Sequence, residues 1–121
     1  MTLRGSWREE KLRGKLLAFR EALFNNVEDR KMLMWLMKAY PDMYTAYLLH
    51  WIPEQGEDIY HYLINADKIC IIEVSRVDPK LEPIIEDYPL EFYKKEFGKE
   101  DRIQFEIAQE LVKSDFKKYV K

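Results

Sequence analysis

The sequence predicts an α+β fold: a small three-stranded antiparallel meander with two N-terminal and two C-terminal helices packed mainly on one face. Three observations lead there. Apolar residues recur at helical spacing at both ends of the chain. The middle is instead rich in aromatic and β-branched residues set between short turn signals. With 121 residues, 47% hydrophobic and 14% aromatic, the chain can bury one core, so residues 1–121 read as a single domain.

Ser6 followed by Glu9 is a capping-box pattern that opens the first helix. Behind it Leu12, Leu16, Phe19 and Leu23 share a stripe, with Arg8, Lys11, Arg13, Lys15 and Arg20 interleaved, and the helix ends near Asn25. Asn26 can cap a second helix, with Glu28 and Asp29 in its first turn, where the helix dipole favours negative charge. This helix carries an apolar run from Met32 to Met37. It stops before Pro41, because a proline disfavours a helical residue ahead of it. A helix apolar all round is expected to be buried. The competing reading is an adaptable partner surface made by Met32, Met34, Trp35 and Met37, since thioether side chains repack easily.

Strand candidates cover residues 43–52, 59–64 and 69–77, with turns at 53–57 and 65–68. Residues 44–51 can also be read as helix, because β-branched residues are few there. Pro79, Pro83 and Pro89 keep the next stretch irregular. Pro89 can open a short helix running to Phe97, with Gly98 as its stop. The last helix spans about 100–119, with Ile103, Ile107 and Leu111 on one stripe and Phe105, Ala108, Val112 and Phe116 beside it.

Charge and missing motifs narrow the function. A formal net charge of −2 excludes a uniformly basic, histone-like protein. The single cysteine, Cys70, excludes an internal disulfide, lies in an apolar run, and reads as a packed small hydrophobe in a reducing compartment. No apolar stretch follows residues 1–5, and the longest apolar run falls far short of the roughly 20 residues a membrane helix needs. Neither a signal peptide nor membrane association is expected, and a cytoplasmic location is. The sequence has no Gly-rich phosphate loop, His-Glu-x-x-His pair, paired cysteines or Gly-x-Ser-x-Gly elbow, so no metal and no cofactor are expected.

Strand register supplies the chemical candidates. A two- or four-residue second turn centred on Ala66-Asp67 would pair Tyr62 with Ile71 and Tyr60 with Glu73. Alternation then gathers Tyr60, Tyr62, Glu73 and Ser75 on one face, and an odd-numbered first loop adds His50. His50, Tyr60 and Glu73 would form an acid/base row, because a carboxylate can orient a histidine that moves protons near neutral pH. Tyr62 and Ser75 would bind ligand beside it. The competing reading is a solvated polar end of a sheet. Glu86, Asp87, Tyr88, Glu91 and Phe92 combine acids with aromatic area and suit a basic partner protein. The basic first helix could meet phosphates, but no groove-reading motif accompanies it, so nucleic acid is not expected. The leading function is a non-enzymatic protein-binding domain, such as an adaptor, an inhibitor, or an immunity or antitoxin protein. A small-molecule site or enzyme on the sheet face comes second, and nucleic-acid binding through the first helix third.

Overall fold

The computed structural model describes residues 7–91 and 99–120. Its elements are α1 (Trp7–Asn25), a 3-10 turn (Val27–Asp29), α2 (Arg30–Ala39), β1 (Ala46–Glu54), β2 (Glu57–Ile64), β3 (Lys68–Ser75), β4 (Ile84–Tyr88) and α3 (Lys99–Tyr119). The α+β class holds, and the strands form one antiparallel sheet in the order β1-β2-β3-β4. Two parts of the expected architecture need correction. The sheet has four strands rather than three, and helices cover both of its faces. Among the described residues α3 is the C-terminal helix. Leu90 and Glu91 are helical, but the rest of the expected short helix, with Phe92 and Gly98, lies outside the described residues, as does Ser6.

The fourth strand was hidden by its prolines. Pro83 and Pro89 sit immediately outside Ile84–Tyr88, so they bound the strand instead of disrupting it. Among the described residues β4 pairs only with β3, and a short edge strand tolerates flanking prolines because it needs one ladder alone.

Each face of the sheet carries its own core. Tyr62, Ile64, Cys70 and Ile72 pack with Leu23 of α1 and Leu36 of α2. On the opposite face Tyr47, Leu49, Leu63 and Ile69 pack with Leu16 of α1 and Ile103, Ile107, Leu111 and Val112 of α3. One helix can serve both cores because α1 lies along β1 and meets both α2 and α3. Leu16 and Leu23 sit two turns apart and enter different layers.

α2 also departs from expectation. Only Leu36 is buried there, while Met34 and Met37 are 62% and 49% exposed. The helix packs one stripe on the sheet and presents the other outward, so it is a surface helix with an apolar outer face.

Cys70, on central strand β3, is fully buried. Burial pushes its thiol up to about 11, partly offset by a hydrogen bond with the Tyr40 hydroxyl. The thiolate is the reactive form, so the folded protein should resist iodoacetamide at about pH 8 and label only when denaturant opens the sheet. Fast labelling in native buffer would show that the β3–β4 layer opens locally.

Candidate functional site

The two hairpin turns decide which side chains meet. The first is a two-residue turn, Gln55-Gly56, with Gly56 at φ 85°, a left-handed value that glycine accepts freely. The second has three residues, because Ile64 pairs with Lys68. Asn65 adopts φ 51° there, and its side-chain oxygen accepts from the backbone N–H of Tyr44 (2.9 Å) and Thr45 (3.2 Å). That fixes the second hairpin one residue away from the expected register. Tyr60 pairs with Ile72 and Tyr62 with Cys70, while Glu73 pairs with Ile59. A one-residue slip moves a strand's whole set to the opposite face.

The expected His50-Tyr60-Glu73 row is therefore split between the two faces. Tyr60 and Tyr62 face α2. They stack at 6.3 Å with planes 24° apart, and Trp51 lies over Tyr60 at 6.5 Å and 9°. Burial first, then nearby Asp58 and Asp29, hold the Tyr60 hydroxyl above its ordinary range, and burial does the same for Tyr62. Both are neutral hydroxyls near neutral pH and make poor bases. Glu73 lies on the α3 side, with Ile59 and Ile84 as its cross-strand partners. The Ser75 hydroxyl accepts from the backbone N–H of Val77 (3.2 Å) and Asp78 (3.0 Å), so it turns the chain out of β3.

The acidic partner candidates also have places within the fold. The Tyr40 hydroxyl donates to the Asp87 carboxylate. Tyr88 packs its ring against the α3-side core and donates its hydroxyl to Glu86 (3.3 Å). Glu86 and Glu91 are exposed, and Phe92 lies outside the described residues.

His50 is positioned by a feature that the alternation of the sequence does not reveal. Leu48 pairs with Tyr62 and His50 with His61, which leaves Leu49 as a β-bulge. The extra residue keeps Leu49 in the core and brings His50 beside His61, the rings meeting edge-on at 5.7 Å and 80°. His50 Nε2 lies 3.0 Å from Asp101 Oδ1 at the start of α3. The real partner of His50 is thus Asp101, about half the chain away, and not Glu73.

The bulge also lines a cleft of about 340 Å³ between α1, β1 and α3. Lys15, His50, Asp101 and Gln104 form its polar end, and Phe19 and Trp51 its aromatic end. No family model, curated protein or solved structure matches this chain significantly. Any functional reading therefore rests on the geometry of this molecule. Among the described residues, no three His, Cys, Asp or Glu side chains converge as metal ligands would, and no helix is long and apolar enough to cross a membrane.

A second surface lies on the outer face of α2. Leu33, Met34 and Met37 form a shallow apolar groove bordered by Arg30, Lys31 and Lys38. The Lys31 ammonium reaches the Pro79 carbonyl (3.3 Å) and sits over the Trp35 ring at 5.2 Å.

Proposed function

We propose that the protein is a non-enzymatic protein-binding domain, an adaptor or inhibitor in type, that docks an acidic amphipathic segment on the outer face of α2. The observation that carries this reading is the exposure of Met34 and Met37 within a basic border. An exposed apolar stripe on an otherwise packed helix is costly to leave in water, and methionines adapt to a partner's shape. Arg30, Lys31 and Lys38 select the partner's charge. A helix with an apolar ridge and glutamates on its flanks satisfies both requirements. An acidic partner on α2 differs from the sequence-based expectation of a basic partner at Glu86, Asp87 and Tyr88, of which Asp87 bonds Tyr40 and Tyr88 bonds Glu86.

The test uses two synthetic amphipathic helices with the same leucine ridge, one flanked by glutamate and one by lysine. The glutamate peptide should bind, shifting the amide resonances of Leu33, Met34 and Met37, with an on-rate that falls as salt rises. Met34→Asp should weaken it by about tenfold or more, the size expected for a central contact, without moving the unfolding midpoint. Equal binding of both peptides would overturn the charge argument. Concentration-dependent self-association, abolished by Met34→Asp, would assign the face to a second copy of this chain instead.

A further inference from the structure

We propose that the cleft between α1 and the bulged strand β1 is a binding site for a planar aromatic ring that carries a carboxylate or phosphate group. This site is separate from the α2 face and does not rest on the reading given for it. At about 340 Å³ the cleft falls in the size range of small-ligand sites.

Its aromatic wall is held in place before any ligand arrives. Trp51 remains 56% exposed, yet its Nε1 donates to Asp58 (3.1 Å) and its ring lies parallel to that of Tyr60, 6.5 Å away between centroids. Asp58 is in turn held by Arg76 (3.5 Å). Phe19, 42% exposed, stands on α1 across the cleft. Two exposed rings lining one cleft can stack a planar guest, and the hydrogen bond from Trp51 to Asp58 lowers the entropic cost of doing so. A second lobe of about 220 Å³ shares Phe19, Leu48 and Trp51 with the first and extends the aromatic end toward Tyr60 and Tyr62.

The charge at the other end points to an anion. His50 Nε2 holds the Asp101 carboxylate at 3.0 Å, and the Lys15 ammonium on the same cleft makes no ion pair among the described residues. Gln104 adds an amide that can donate to the same group. Beyond Lys15 the same face of α1 continues with Lys11 and Arg8, which line an adjoining hollow with Trp7 and share Leu12 and Lys15 with the cleft. Three cations at this spacing raise the positive potential at the polar end and draw in a carboxylate or phosphate. The ring enters between Phe19 and Trp51, and the anionic group lies against Lys15.

The experiment titrates the protein with indoleacetate and adenosine monophosphate, with indole and adenosine as uncharged counterparts. It follows Trp51 by its indole N–H resonance and the amides of residues 48–51 and 101–104. At least one charged compound should bind saturably at these positions, about tenfold or more tighter than its uncharged counterpart. Which compound binds distinguishes a carboxylate source from a phosphate source. Lys15→Met should remove that advantage while leaving the uncharged compound's affinity and the unfolding midpoint unchanged, since Lys15 is exposed. Trp51→Phe should weaken charged and uncharged compounds alike. No saturation by any of the four up to about 10 mM, or Lys15→Met without effect, would overturn the proposal. Binding of single-stranded oligothymidylate about a hundredfold tighter than adenosine monophosphate would overturn it too, in favour of a nucleic-acid strand along Arg8, Lys11 and Lys15.

Discussion

Asp115→Ala is expected to lower the unfolding free energy by about 3–5 kcal/mol, the range for removing one partner of a buried ion pair. Asp115 of α3 is where three parts of the chain are tied together. Its Oδ2 accepts from the Thr45 hydroxyl at 2.7 Å and from the Tyr47 hydroxyl, and it lies 3.4 Å from Arg20 Nε of α1. Arg20 Nε also donates to the Thr45 hydroxyl at 2.7 Å. Thr45 and Tyr47 are fully buried, and the Arg20 and Asp115 side chains are only 13% and 14% exposed. Removing the carboxylate leaves a guanidinium and two hydroxyls short of an acceptor in a place water barely reaches. Arg20 cannot easily swing away, because its guanidinium lies over Phe24 at 4.6 Å and Tyr119 at 5.2 Å. Urea unfolding should show a lower midpoint at an unchanged slope. The double variant Arg20→Met, Asp115→Leu should recover part of the loss, because no buried charge is then left alone. A loss below about 1 kcal/mol, as for an exposed pair, would mean that solvent screens the cluster.

The helices were legible because their signals are local. The stripe at Leu16 and Leu23 and the one at Ile103, Ile107 and Leu111 predict the residues that fill the two cores. Helix ends at Asn25 and before Pro41 follow from the same short-range chemistry. What the sequence concealed depends on single-residue counts and on distant partners. An asparagine in a left-handed conformation makes the second turn three residues long, and that alone separates Tyr60 from Glu73. The bulge at Leu49 has no glycine to announce it, yet it decides where His50 points. Asp101 meets His50 only because α3 returns across the sheet, and no spacing rule predicts that. The stretch around Glu86 reads as irregular because of its prolines, whereas it is an edge strand with one acid bonded to Tyr40. For α2 the apolar run was plain, but an all-round pattern does not say how many sides the fold will cover.

His61 should make the fold lose stability as pH falls from about 6.5 to about 4. The side chain is only 8% exposed, and burial first, then the neighbouring His50, lower its pKa to about 4. In the unfolded chain a histidine takes its proton near pH 6.5. Between these values the unfolded state binds the proton and the folded state does not, so stability rises with pH across this window. The full contribution is present above about pH 6.5, is lost as pH falls through the window, and amounts to about 3 kcal/mol. Across the sheet His61 meets His50, which carries Asp101 of α3 as its partner, and pairs with Ile71 in the ladder. Carboxylates titrate near the lower end of this range, so the decisive quantity is the difference between wild type and His61→Gln. Wild type should lose about 3 kcal/mol more than the variant between pH 7 and pH 4 in denaturant titrations. The ring resonances of His61 should stay those of a neutral imidazole at about pH 5.5, where a free histidine is mostly charged. A ring that titrates near pH 6.5, with parallel stability curves for the two proteins, would show that water reaches His61 and that the bulge does not seal this side of the sheet.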